Sequence, residues 1–356
     1  MNCFMLALVK YGYGKGETEL RDVPIPDMGE KDLLIEVKAA GICGSDIAYD
    51  NGEHPEHLRP PVILGHEFAG TVAKVGGGVT AWKVGDRVVS DNTGYVCGRC
   101  YACATSDYLN CRDRLGLGYS MDGGFTKFVK ISGDLLDKNP NSLFRIPDSV
   151  SFEEAAILDP CCNAYKAVIQ EAGFMPGIDV AIFGVGPLGL ASVQIARVAG
   201  AARIILIGRP GNEVRFDAAV KLGATHILVA GEENVEEKVR EITGGEGVDL
   251  VIDCAGASEV LEQAIGILRK GGEVVKVGYD SNPPGFSLDN IVNKAVNIKG
   301  HFGYDYVSWR NCIKLMEAGK IDMKTMISHR LPLSRWQEGF NLVRSKKAIK
   351  VILTYE

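Results

Sequence analysis

From about Asp179 the chain alternates short, uninterrupted apolar runs with longer stretches of helical periodicity. The runs Asp179–Phe183, Arg203–Ile207, His226–Leu228, Val248–Asp253 and Glu273–Val277 predict strands. Between them, Pro187–Ala199, Glu213–Leu222, Val235–Ile242 and Ser258–Leu268 predict helices. Gly223, Gly244-Gly245 and Gly271-Gly272 stand where those helices should stop. Strands that are apolar throughout are buried on both faces, so this half predicts a doubly wound α/β domain around a parallel sheet.

Ahead of it the rhythm is different. Phe4–Val9, Leu33–Ala39, Phe68–Val75 and Arg87–Ser90 are short β-type runs, punctuated by Gly76-Gly77-Gly78 and Gly85-Asp86. They predict a small barrel-like or sandwich domain. Past about Ile298 the elements are mixed and end on a strand-like run, Ala348–Leu353, which we expect to pack back onto the first domain. A length of 356 residues suits two domains.

Composition narrows the function classes. Hydrophobic residues at 46% and charged residues at 24% are those of a globular chain. The net charge of −6 and the lack of a basic run argue against a nucleic-acid or anionic-membrane surface. The most apolar stretch, Val180–Ala196, holds three glycines, a proline and a glutamine, and reads as strand, turn and helix rather than as a membrane span. Met1–Val9 has neither a basic start nor a cleavage site and reads as a strand, not a signal peptide. Ten cysteines without an export signal imply a reducing, cytoplasmic setting in which clustered thiols bind metal.

Two motifs carry chemistry by themselves. Cys97, Cys100, Cys103 and Cys111 form C-x2-C-x2-C-x7-C, and four thiolates on one tight loop can close a tetrahedron around Zn²⁺ with no open position. An iron–sulfur cluster is the rival reading. The run Gly184-Val185-Gly186-Pro187-Leu188-Gly189 follows a predicted strand and opens a helix, the setting of a dinucleotide site. Gly184 would make the tight turn, Gly186 admit the pyrophosphate and Gly189 allow close helix packing, with the anion resting on the helix N-terminus. After the second strand an acidic residue usually holds the ribose of NAD, but here Gly208 and Arg209 follow instead. Gly208 carries no charge to repel a 2′-phosphate and Arg209 can pair with one, which favours NADP over NAD. Val277, at the end of the fifth strand, is a further candidate contact to the cofactor.

Cys43-Gly44-Ser45-Asp46 and Gly65-His66-Glu67 offer a thiolate and an imidazole, ligands suited to an open zinc site. Taken singly, each has a plain structural explanation. Together with the cysteine cluster, the glycine turn, Gly118–Gly124, Leu158–Asn163, Ser328–Leu333 and Lys350–Leu353, they resemble the zinc-containing medium-chain alcohol dehydrogenases over nearly the whole chain. Within that family the likeness is to the sorbitol (polyol) and threonine dehydrogenase branch.

The resemblance implies a Rossmann domain over residues 164–297. It also implies a discontinuous, mostly β, GroES-like catalytic domain over 1–163 and 298–356, with a structural zinc lobe at 91–115. Two Zn²⁺ per chain are implied. The catalytic one would be held by Cys43, His66 and the acidic residue before Pro160, which is Asp159. Glu67 would be a conditional ligand or a carboxylate serving the metal's water. Cys161 and Cys162 are near enough in sequence to compete. Asp46 would orient the His66 ring, a role compatible with its being a helix N-cap. Ser45 would meet the substrate hydroxyl. Ala48 stands where many relatives place a proton-passing histidine, so the onward path would use water, cofactor ribose or Glu67. His54 and His57 read as surface histidines of a proline-containing loop.

The implied reaction is hydride transfer between a secondary alcohol, such as a polyol, and NAD(P)⁺, in a homodimer or homotetramer. Tyr49, Tyr119, Phe302 and Tyr304 are candidates for setting specificity. An amino alcohol such as threonine is the alternative substrate. The zinc-free quinone or enoyl reductases usually lack both metal motifs, and an inactive nucleotide-binding protein should have lost a ligand.

Overall fold

The computed structural model describes residues 4–355 except 281 and 284. It divides into two compact units. One comprises the chain up to Asp159, Asp305–Glu317 and the chain from Ile327 onward, and the other comprises Pro160–Tyr304 and Ala318–Met326. The chain thus passes between the units after Asp159, Tyr304, Glu317 and Met326.

The second unit is built on six parallel strands. Their order is His226–Val229, Arg203–Gly208, Asp179–Phe183, Val248–Asp253, Leu268–Lys276, Asn297–Gly300. Sequence order thus reads 3-2-1-4-5-6, reversing direction beside the first strand, where doubly wound sheets bind nucleotides. The four long helices lie at Pro187–Ala199, Glu213–Leu222, Val235–Ile242 and Ser258–Ile267. Val180, Ala181, Ile182, Leu206 and Val251 are wholly buried, as strands covered on both faces must be.

Two features differ from the pattern read in the sequence. Gly271 and Gly272 do not stop a helix. The Ser258–Ile267 helix passes straight into the strand Leu268–Lys276, and the glycines lie inside it, where its register with Val248–Asp253 shifts. The sixth strand, Asn297–Gly300, is exposed along its length, so it carries no apolar run to announce it. Its pairing with Glu273–Lys276 keeps the chain in this unit beyond residue 298.

The first unit is mostly β. The strands run Leu143–Arg145, Arg87–Ser90, Glu67–Val75, Leu33–Gly41, Lys350–Thr354, Ile327–Pro332 across one sheet, with Phe128–Ile131 also pairing with Leu33–Gly41. A smaller sheet joins Thr18–Pro24, Phe4–Lys10 and Val62–Ile63. The charged strand Thr18–Pro24 has no clear alternation and is held by its antiparallel pairing with Phe4–Lys10. Leu33, Ile35, Leu64, Phe125, Phe340 and Val351 fill the core of this unit. The C-terminal strand runs antiparallel to Leu33–Gly41, so the tail does return to the first unit. No helix of the described residues is long and apolar enough to cross a membrane.

Candidate metal and nucleotide sites

Sheet register assembles the first site. Gly41, the last residue of a central strand, lies opposite Glu67 on one side and Ile352 on the other. Cys43, His66 and Glu67 are therefore gathered at one end of neighbouring strands. The Cys43 sulfur, a His66 ring nitrogen and a Glu67 oxygen all lie within 4.8 Å of one another. Two glycines make room. Gly65 has φ +92°, and a Cβ there would come within 2.4 Å of the Phe125 ring. A Cβ on Gly41 would meet Glu67 Oε2 at 2.5 Å.

Cys43 is the N-cap of the Gly44–Asp50 helix, and Asp46 occupies the third helical position rather than the cap expected for it. From there Asp46 Oδ2 accepts the Cys43 backbone N–H at 2.8 Å. Its Oδ1 lies 3.3 Å from His66 Nδ1, an ion-pair distance without hydrogen-bond alignment. His66 Nε2 faces Ser45 Oγ at 3.3 Å. Asp46 thus holds the Cys43 backbone and stands beside the His66 ring.

Sequence reading missed Lys350. This lysine is buried, and its Nζ donates to both Glu67 oxygens, at 2.5 and 2.6 Å. A charged residue opening an otherwise apolar strand is the one signal that could have revealed it. Burial lowers the Lys350 pKa, but Glu67 and Cys43 outweigh that and raise it. Glu67 is therefore one half of a buried ion pair.

Asp159 opens the Asp159–Tyr165 helix and is not part of the close trio among the described residues. Although partly exposed, it is pushed up to about 6 by burial and by Glu67. Burial lowers His66, whereas Asp46 and Cys43 raise it well above the usual imidazole value. Lys350 balances Glu67, and beside that pair lie a sulfur, an imidazole and the Asp46 and Asp159 carboxyls. A divalent cation fits such a donor set. Cys161 and Cys162 are fully buried, and neither joins the trio among the described residues. Tyr119 lies edge-on to His66, ring centroids 6.2 Å apart, and 5.5 Å from Tyr49. Arg114 donates to the Tyr119 hydroxyl at 2.5 Å and also to Asn92. Ala48 is partly buried on the same short helix as Ser45, while Phe302 and Tyr304 belong to the other unit.

The four cysteines of the lobe converge on a point. Sulfur separations are 3.6 Å for Cys100–Cys103, 3.6 Å for Cys97–Cys111 and 3.9 Å for Cys97–Cys103. A tetrahedron with Zn–S bonds of about 2.3 Å has edges of about 3.8 Å. Such spacing suits one ion and is too tight for thiolates spread over the irons of a cluster. The backbone N–H of Cys103 draws the Cys100 thiol down to about 6, while burial pushes Cys103 up to about 12. Without a cation the four thiolates cannot all ionise side by side. The nine described cysteines form no disulfide.

In the other unit, Gly184 turns the chain at φ +101°, and a Cβ on Gly189 would lie 1.8 Å from the Gly184 carbonyl oxygen. Gly186 caps the Pro187–Ala199 helix, and nothing lies within 4 Å of where its Cβ would be. Pro187 opens that helix with Leu188 after it, and Val185 is buried. The helix N-terminus therefore presents backbone N–H groups beside open space, a setting for a pyrophosphate. Asp253, a buried residue that sequence reading passed over, accepts N–H groups from Ala255 and Gly256 at 3.0 and 2.9 Å and pairs with Lys276 at 2.9 Å. It shapes the loop against Gly184, whose Cβ would lie 3.0 Å from Ala255 N. Val277 is buried and its N–H donates to the Asp253 carbonyl. Arg209 is exposed just beyond its strand. Gly208 has a steric reason of its own, since a Cβ would meet Val185 Cγ1 at 2.6 Å and Phe216 at 2.7 Å. The lack of a carboxylate at 208 is thus a packing requirement and does not itself argue for NADP.

Comparison with known proteins agrees with both units. The profile for an alcohol dehydrogenase GroES-like domain matches residues 29–141, and that for a zinc-binding dehydrogenase matches 187–318. An uncharacterised zinc-type alcohol dehydrogenase-like protein of Escherichia coli is 46% identical over 99% of both chains. A sorbitol dehydrogenase of Halalkalibacterium halodurans is 34% identical, covering 98% of this chain and 99% of its own. An L-threonine 3-dehydrogenase of Bacillus licheniformis is 35% identical over 98% of both. Among solved structures, a putative zinc-binding dehydrogenase from Sinorhizobium meliloti bound to NADP superposes with a TM-score of 0.88 at 31% identity, covering 99% of both chains.

Proposed function

The chain belongs to the zinc-containing medium-chain alcohol dehydrogenases and is an NAD(P)-dependent enzyme of that class, and we propose that it oxidises a secondary hydroxyl of a polyol. The observation that carries this reading is the convergence of Cys43 and His66 at one end of the sheet, beside a Glu67 whose charge Lys350 neutralises. Cys43, His66 and Asp159 would hold the catalytic zinc, since Glu67 already has Lys350 on both oxygens. Cys97, Cys100, Cys103 and Cys111 would hold a second, structural ion. When bound, zinc supplies Lewis acidity toward an alcohol oxygen and the nicotinamide accepts the hydride.

The chain's own residues do the rest. Cys43 and His66 would present their donors from a helix cap and a strand start, with Asp46 bonded to the Cys43 backbone and its other oxygen 3.3 Å from the His66 ring. Ser45 Oγ, beside His66, would accept the proton of a substrate hydroxyl as it hands its own onward. Ala48 offers no imidazole relay, so the onward path would run through water, the cofactor ribose or Glu67. Tyr119 borders the His66 ring, with Tyr49 beside it, and the two hydroxyls suit a hydroxylic substrate. The likeness to a sorbitol dehydrogenase supports a polyol, and the comparable likeness to threonine dehydrogenases keeps an amino alcohol as the alternative. In the nucleotide unit, Gly184–Gly189 receives the pyrophosphate, and Arg209 pairs with a 2′-phosphate.

A panel of polyols and amino alcohols, each with NAD⁺ and NADP⁺ and with metal content measured, tests the assignment. Polyols with secondary hydroxyls should reduce the nucleotide fastest. Faster turnover of L-threonine would move the chain to the amino-alcohol reading, and no turnover with a full metal complement would leave a binding protein. Arg209→Ala should weaken NADP⁺ about tenfold and spare NAD⁺, the worth of one charge-assisted hydrogen bond. An unchanged ratio of the two affinities would remove Arg209 from the phosphate site. Cys103→Ser should cost one metal equivalent and make residues 91–115 protease-sensitive, while alcohol oxidation persists. Loss of turnover in step with that equivalent would instead tie the lobe to chemistry.

A further inference from the structure

The loop after the Gly44–Asp50 helix carries His54-Pro55-Glu56-His57, and its four side chains are exposed. His54 Nδ1 and His57 Nε2 lie 3.4 and 3.5 Å from the same oxygen, Glu56 Oε1. One donor atom from each residue lies within 4.8 Å of the other two. We propose that His54, Glu56 and His57 form an additional, exchangeable divalent-metal site that accepts Zn²⁺ and is separate from the two sites above.

Donor spacing is the first argument. Ligands about 2.1 Å from a tetrahedral ion are about 3.4 Å apart, and both imidazole nitrogens stand at that separation from the carboxylate oxygen. Donor chemistry is the second, because two imidazoles and one carboxylate make a set that zinc sites with one open position employ. The third is that the backbone holds the loop in place. The His57 N–H donates to the His54 carbonyl at 3.1 Å and the Leu58 N–H to the Pro55 carbonyl at 3.2 Å, closing one turn beneath the three side chains. His54 takes φ +55°, which brings its ring back toward His57, the centroids 6.1 Å apart. Leu58 is buried and anchors the turn.

The loop is also fastened to the segment that carries Tyr119. Ser120 Oγ donates to the His57 carbonyl at 2.7 Å, and the Arg59 N–H donates to the Tyr119 carbonyl at 3.0 Å. A cation here would stiffen a loop that abuts the ring beside His66. Glu56 supplies the anionic ligand, and water or an outside ligand completes the shell.

The test is a Zn²⁺ titration of the full chain in its as-isolated metal state, after dialysis against a weak chelator, by calorimetry and elemental analysis together. The unaltered chain should take up one equivalent beyond its as-isolated content. His54→Ala and His57→Ala should each weaken that uptake by roughly tenfold or more, at least the cost of losing an outer-shell partner at a metal site. His329→Ala, a histidine on the strand Ile327–Pro332, should leave it unchanged. Zn²⁺ should also protect His54 and His57 from diethyl pyrocarbonate. No additional equivalent in the unaltered chain, or an additional equivalent that survives the double His54→Ala/His57→Ala substitution, overturns the proposal. Neither outcome bears on Cys43 or the cysteine lobe, so failure here is distinguishable from failure of the dehydrogenase reading.

Discussion

Replacing Cys43 with alanine should reduce alcohol-dependent nucleotide reduction roughly a thousandfold or more, while nucleotide binding stays close to that of the unaltered chain. The size follows from what the thiolate supports. Lewis-acid stabilisation of developing charge is worth several kcal/mol, and about 4 kcal/mol corresponds to roughly three orders of magnitude in rate. Nucleotide binding should survive because Gly184–Gly189 and the parallel sheet belong to the other unit. Cys43 also caps the Gly44–Asp50 helix, so the alanine variant alone mixes a lost ligand with a lost cap. Cys43→Ser separates them, since a serine keeps the cap but is a poor zinc ligand. Both variants should lose one metal equivalent and turnover together, with cofactor fluorescence titrations unchanged. If either keeps most of its kcat, the metal at Cys43 is not what activates the alcohol.

The second large effect is on stability. Lys350→Met removes the cation from both oxygens of a buried carboxylate and leaves Glu67 without its partner. Breaking one half of such a pair costs about 3–5 kcal/mol, chiefly through the uncompensated charge left behind. The first urea unfolding transition should move to lower denaturant by a corresponding amount. Glu67→Gln in the same chain should recover most of that loss, because a neutral amide no longer demands a counter-charge. If the double variant is as unstable as Lys350→Met alone, the lysine acts through packing of its stem and not through the ion pair. The same pair bears on the proposed metal site, because it occupies both Glu67 oxygens beside Cys43 and His66.

Legibility in the sequence tracked how local each feature is. The helix Pro187–Ala199 and the strands Asp179–Phe183 and Val248–Asp253 were readable to the residue, because apolar periodicity and the flanking glycines lie within them. The strand Asn297–Gly300 was not, because an exposed edge strand is defined by its neighbour's hydrogen bonds and needs no apolar face. Gly271 and Gly272 look like a helix stop in one dimension and are a register shift in three. Gly208 was read as an electrostatic choice, and the contacts with Val185 and Phe216 show a steric one.

The chain by itself determined the nucleotide fold and the cysteine lobe. Alternating strand and helix is a short-range pattern, and four thiols within fifteen residues meet wherever the rest of the protein goes. Only the tertiary structure decided what surrounds Cys43 and His66. Glu67 and Lys350 are 283 residues apart, and they meet because one central strand pairs on both edges with Gly41 opposite Glu67 and Ile352. Strand register is set by pairing over long sequence separations, and moving it by a single residue would turn each of these side chains to the opposite face.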